Sequence, residues 1–164
     1  MSHTFPNLKQ LVPTFVVGSQ EYESKLHEDL YVNQSNLAAE YSEHSERFAW
    51  YATCYELSID KLTRLEAELK RAYAIIDAEK RAEMVMAGQK STEKMVENCV
   101  ITDERYVALQ NEVFEAQRQT GLLKAARDSM MHRRDMLISL GATYRAEVRA
   151  DMSLKSAEVR SQIA

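Results

Sequence analysis

Residues 106–148 read YVALQNEVFEAQRQTGLLKAARDSMMHRRDMLISLGATYRAEV, and the spacing of their apolar side chains decides the fold. Leu109, Ala116, Leu123, Met130, Leu137 and Tyr144 recur at every seventh residue. Tyr106, Val113, Thr120, Arg127, Arg134, Gly141 and Val148 interleave with them. A 3.5-residue repeat sustained this long is the pattern of a helix laid along another helix. At 1.5 Å per residue it spans about 60 Å, too long to bury its seam against itself.

The required neighbour lies upstream. Phe48, Ala52, Tyr55, Ile59, Leu62, Glu66, Leu69, Tyr73 and Ile76 follow a 4-3-4-3 spacing, interrupted only by Glu66. Leu37 and Tyr41 extend the stripe, and no Gly or Pro falls between Gly18 and Gly88. A first long helix is predicted over about 35–87, with Gly88 as its C-cap. Ser91 or Thr92 can cap a short helix through Cys99. Thr102 is the next N-cap, with Asp103 and Glu104 placed well against the dipole of the second long helix. The fold class is all-α, a long antiparallel, coiled-coil-like helical hairpin with a short helix at its tip, about 88–102.

The flanks are less patterned. Residues 11–17 suit a short strand or extended arm, and residues 20–30 a short helix. Asp29-Leu30-Tyr31-Val32 is extended in character, and residues 33–36 offer N-caps. Gly141 is expected to kink or end the second helix, because Gly costs about 1 kcal/mol relative to Ala in a helix interior. Residues 151–164 are expected to fray. The domain organisation is then an arm (1–28), a hairpin domain (29–150) and a tail (151–164). Trp50, Tyr51, Tyr55, Phe114, Met130, Met131 and Met136 exceed what two helices can bury, which points to a homo-oligomer.

Composition bounds the function. The 164 residues carry a formal net charge of −4. Residues 1–50 hold three Lys/Arg against seven Asp/Glu, whereas residues 118–134 hold five Lys/Arg against Asp128 alone. Cys54 and Cys99 lack a CxxC spacing and read as reduced thiols. Residues 11–17 are too short and too interrupted for a signal peptide or a membrane span, so the expected location is cytoplasmic. His3, His27, His44 and His132 have no metal-ligand spacing, no nucleophile triad appears, and Gly88-Gln89-Lys90-Ser91 lacks the first glycine of a phosphate loop. Glu66 and Lys70 read as an ordinary i,i+4 surface pair. The residues point to no enzyme, metal or cofactor.

Two basic groups remain. Lys124, Arg127 and Arg134 share one side of the second helix, with Arg118 and Arg133 off that line. Lys70, Arg71, Lys80, Arg81, Lys90 and Lys94 gather toward the tip, interspersed with Asp77, Glu79, Glu83 and Glu93. All eleven are candidate nucleic-acid-binding residues through phosphate contacts. The competing reading of the second-helix arginines is that they pair with acidic residues of the first helix. For the tip group it is a solvated mixed face.

Asp29-Leu30-Tyr31-Val32-Asn33-Gln34-Ser35-Asn36-Leu37, followed by a long helix with Phe48-Ala49-Trp50-Tyr51, resembles the start of UvsY-type phage recombination mediators. Arg64-Leu65-Glu66-Ala67 is similar to a stretch in the middle of their first helix. Ser91-Thr92-Glu93 and Val100-Ile101-Thr102-Asp103-Glu104-Arg105-Tyr106 resemble their linker. Arg133-Arg134-Asp135-Met136-Leu137-Ile138-Ser139-Leu140-Gly141 resembles their ending. The resemblance covers about 29–148. It implies a ring-like oligomer that binds single-stranded DNA and helps load a recombinase onto strands covered by single-strand-binding protein, in a host cytoplasm. The family's basic pair near the end of the first helix falls at Ala74 and Ile76, so Lys70, Arg71, Lys80 and Arg81 could serve by proximity alone. The alternative is a coiled-coil structural or adaptor protein, or a host-directed inhibitor, acting on protein partners without nucleic acid. A helical metal-dependent enzyme is a weaker third reading.

Overall fold

The computed structural model describes residues 15–17, 20–22 and 25–163, with side chains described over 25–156. Two three-residue strands, β1 (Phe15–Val17) and β2 (Gln20–Tyr22), pair antiparallel with Phe15 opposite Tyr22. Helices follow: α1 (Leu26–Leu30), a 3-10 turn (Gln34–Asn36), α2 (Leu37–Met86), α3 (Glu93–Ile101) and α4 (Glu104–Ile163). The expected strand is thus realised at its C-terminal end, and the short helix occupies the second half of its predicted span. Asp29 and Leu30, expected to be extended, close α1 instead. Residues 11–14 and Gly18 lie outside the described residues. No helix among the described residues is long and apolar enough to cross a membrane.

The helix ends follow from their caps. Asn33 Oδ1 accepts from Ser35 N at 3.1 Å, and Asn36 Oδ1 accepts from Ala39 N at 3.4 Å, so adjacent turns start on side-chain oxygens. At the far end of α2, Gly88 takes φ 67°. Its N–H donates to Val85 O at 3.0 Å and that of Gln89 to Met84 O at 2.9 Å, the paired bonds of a Schellman stop. A Cβ on Gly88 would meet nothing within 4 Å, so only the backbone objects to a side chain there. Gly88→Ala should therefore cost about 1 kcal/mol, read as a lower urea midpoint with an unchanged slope. Thr92 caps α3 through Met95 N at 3.3 Å. Thr102, expected to open α4, instead ends α3, and Asp103 Oδ1 takes the N-cap role by accepting from Arg105 N at 3.0 Å. A carboxylate is the stronger acceptor, and Thr102 Oγ1 donates back to Asn98 O at 2.8 Å.

The chain forms two compact units. The first holds the described residues 25–52 and 125–163, the second 15–17, 20–22 and 53–124. In each, α2 and α4 pack antiparallel. Tyr73 and Tyr106 stack edge to face at 5.9 Å in the second unit, where Ile76, Val96 and Val100 form a core joined by Ala72 and Met84. Tyr41 Oη donates to Leu137 O at 2.5 Å in the first. Cys54 and Cys99 are both unpaired thiols, Cys54 buried and Cys99 half-buried.

Three expectations about the long helices change. On α2 the buried positions include Tyr51, Cys54 and Ser58 rather than Ala52, Tyr55 and Ile59, before the predicted phase returns at Ile76. On α4, Ala126 and Arg133 are buried where the heptad count placed Arg127 and Arg134. Apolar counting ignores small and polar side chains, yet a polar group is buried readily once its hydrogen bonds are met. Ser58 Oγ donates to Tyr55 O at 2.6 Å, and Thr120 Oγ1 reaches Ser58 O at 3.3 Å. Finally, α4 neither breaks at Gly141 nor ends before the tail. It continues to Ile163, with every side chain from 142 to 156 exposed. Gly141 is buried because the Tyr41 hydroxyl occupies the space a Cβ would need.

Candidate nucleic-acid interface

The eleven basic residues separate into three groups. Arg133 is buried, its side chain wholly out of solvent. One guanidinium nitrogen donates to Glu40 Oε2 and to Tyr31 O at 3.2 Å, and another lies 3.3 Å from His44 Nδ1. It cannot meet a phosphate without unfolding its surroundings, so the expectation that Arg133 binds nucleic acid is corrected. Its partner does come from α2, as the structural alternative for these arginines required, but Arg133 rather than Arg127 or Arg134 forms that contact.

A second group is exposed or half-exposed but neutralised, mostly by neighbours on the same helix. Arg127 pairs with Asp128 and Arg134 with Asp135, each at 2.8 Å. Arg118 pairs with Glu115 at 2.6 Å. The bonds from Arg118 and Gln119 hold the Glu115 carboxyl down to about 2, so that pair stays ionised at any working pH. Lys80 meets Glu83 at 3.1 Å. Arg81 is gripped by Asp77 at 2.7 Å and by Glu93 of α3 at 2.6 Å, a bridge that ties the tip helix to α2. Arg105, not among the candidates, does similar work between Asp103 and Glu79. Exposed pairs of this kind contribute little stability, but they reduce the field available to an incoming phosphate.

Lys70, Arg71, Lys90, Lys94 and Lys124 form the third group. All are exposed, and none makes an ion pair with a described residue. The i,i+4 pair of Glu66 with Lys70 that the spacing suggested is not formed. Lys70 instead lines a groove of about 380 Å³ between α2 and α4 of the second unit. Leu69, Val113 and Phe114 supply its apolar surface, Gln110 and Gln117 supply amides, and Glu66 is the one opposing charge. Phe114 is 57% exposed there, so part of its ring is accessible from the groove. The aromatic considered from sequence, Tyr73, is half-buried against Tyr106 and the tip core.

A lysine, an exposed ring and two amides along one groove can grip a backbone phosphate, stack one base and hydrogen-bond base edges. Those five candidates all fall in the second unit, although Lys61 there and Lys25, Arg145, Arg149 and Lys155 of the first unit likewise make no ion pair with a described residue. Phe114 was visible in the sequence as an aromatic outside the seam. Its pairing with Lys70 depends on the register between α2 and α4, which the sequence does not state. Among the described residues no three His, Cys, Asp or Glu side chains are arranged to hold a metal ion. No family model, curated protein or solved structure matches the chain.

Proposed function

We propose that this chain is an oligomeric, non-enzymatic single-stranded DNA-binding protein of the recombination-mediator type. It would act in the cytoplasm of a phage-infected host, helping to load a recombinase onto DNA coated by single-strand-binding protein. The observation that carries the reading is the Lys70–Phe114 groove, joined in the same unit by unpaired Arg71, Lys90, Lys94 and Lys124. The resemblance along 29–148 supplies the recombinase and single-strand-binding protein as partners. Isolated cations on one protomer bind a strand weakly, so useful affinity comes from repeating them in an oligomer. The exposed Met131, Met136, Ile138, Tyr144 and Val148 of α4 provide apolar surface for that assembly.

The test is fluorescence anisotropy with labelled single-stranded DNA at two salt concentrations. Binding should weaken steeply with salt and show little sequence preference. Lys70→Ala should reduce the logarithmic salt slope by about 0.7 for each protomer engaged. Phe114→Ala should leave that slope unchanged while weakening binding by about 1–3 kcal/mol for each base it stacks. Salt-insensitive binding, or none at low salt from a folded oligomer, would overturn the reading. A protein-partner adaptor is favoured by a different observation, the self-neutralisation of Arg81, Arg118, Arg127 and Arg134, and would be the reading that survives.

A further inference from the structure

The first unit carries a cleft of opposite character. Asp29, Glu43, Glu46, Arg47, Trp50 and Tyr51 line a space of about 370 Å³ at the start of α2. Three carboxylates share it with one guanidinium, a formal balance of −2. Arg47 is already committed to Glu43 at 2.6 Å, with Asp29 Oδ1 at 3.9 Å. Asp29 Oδ2 accepts from the Tyr51 hydroxyl at 2.8 Å, which holds that carboxylate at the cleft wall. Glu46 is exposed and makes no ion pair with a described residue. Trp50 is 38% exposed, and Tyr51 packs against it edge-on at 4.7 Å and 88°. The indole is therefore oriented by a buried neighbour while part of its surface stays open.

We infer that this cleft docks an arginine or lysine side chain presented by a basic polypeptide partner. An oriented indole beside carboxylates attracts a cation through the ring quadrupole and through charge together. An anionic group would be repelled, and an apolar one would strip water from the carboxylates without replacing their hydrogen bonds. Arginine is the better fit, since its planar head can stack on Trp50 while donating to two acceptors. The inference goes beyond the DNA reading: it concerns the other unit, a partner of opposite charge, and a protein rather than a nucleic acid.

Trp50 is the one tryptophan of the chain, so intrinsic fluorescence reads the site directly. Full-length protein, without DNA, is titrated with a short arginine-containing peptide and with the same peptide carrying citrulline, the uncharged isostere. The expected result is a saturable change in Trp50 emission with the arginine peptide, weakened about tenfold or more by citrulline and by Glu46→Gln. Glu68→Gln, an exposed carboxylate of the second unit, should bind as the unaltered chain does. Trp50→Ala, followed by calorimetry with its helicity checked by circular dichroism, should weaken binding comparably. No saturable change, an equal response to citrulline, or indifference to Glu46→Gln would overturn the inference. So would an emission change that tracks protein concentration and light-scattering mass without peptide, because the occupant would then be a second copy.

Discussion

Glu40→Ala should cost about 3–5 kcal/mol of folding stability, because it strands the Arg133 guanidinium as an uncompensated charge inside the first unit. The same change removes the acceptor of Asn33 N, which donates to Glu40 Oε1 at 3.0 Å and fastens the segment before α2. Urea unfolding followed by circular dichroism, at one fixed protein concentration, measures the loss. A cost under about 1 kcal/mol would mean that the Arg133 head reaches water, contrary to its burial. Removing both partners is expected to behave differently. Glu40→Met with Arg133→Met should recover most of the loss, since replacing a buried ion pair by apolar side chains of similar volume is often neutral or stabilising. Arg133 Nε, which is buried without a partner among the described residues, makes that recovery easier.

Acid titration should agree. Burial opposes ionisation of Glu40, but the Asn33 amide and the guanidinium groups of Arg133 and Arg47 outweigh it and hold its carboxyl below its usual range. The folded value lies below the unfolded one, so the carboxylate's contribution is present above the ordinary Glu range and disappears as pH falls through the depressed value. His44 adds in the same direction. Burial, then the charges of Arg133, Arg134 and Arg47, hold its imidazole below the ordinary His range. Protonation of His44 is thus taken up preferentially by the unfolded chain as pH falls. Glu40→Ala should flatten the low-pH part of the stability profile while leaving the His44 part.

Gly141→Ala should destabilise the protein, although Ala is the better helix former by about 1 kcal/mol. An added Cβ would fall well inside 3.0 Å of the Tyr41 hydroxyl and 3.3 Å from Tyr41 Cζ. Tyr41 must then give up its bond to Leu137 O, and forced overpacking of this kind costs about 1–3 kcal/mol. A net loss of up to about 2 kcal/mol remains after the propensity gain. In a Tyr41→Phe background the hydroxyl is gone and the propensity gain should emerge, making Gly141→Ala neutral or mildly stabilising. The double-mutant cycle isolates the contact. Equal effects in both backgrounds would show that Gly141 is retained for some reason other than Tyr41.

Periodicity, caps and turn chemistry were readable in advance because they depend on residues close in sequence. The two long helices, the stop at Gly88 and the cap of α3 at Thr92 follow from the order of apolar, small and hydroxyl side chains. Thr102 yields the cap to Asp103 because adjacent acceptors compete for the same backbone N–H groups, and a one-residue shift lies within that ambiguity. The candidate groove was only half legible. Lys70 stood out as a charge and Phe114 as an aromatic outside the seam, but nothing local joined them.

What local order settled is that the chain makes a helical hairpin with a capped tip, since hydrophobic spacing and backbone preference act over a few residues. Packing alone decided which of two adjacent arginines goes inside, because burial of a charge depends on finding a carboxylate elsewhere in the chain. Glu40, 93 residues from Arg133, is that carboxylate. Packing also turned Gly141 from an apparent helix breaker into a site of close approach by Tyr41, 100 positions earlier in the chain. Both outcomes rest on interhelical register, which is set by the sum of contacts along α2 and α4 and is written in no single stretch of either.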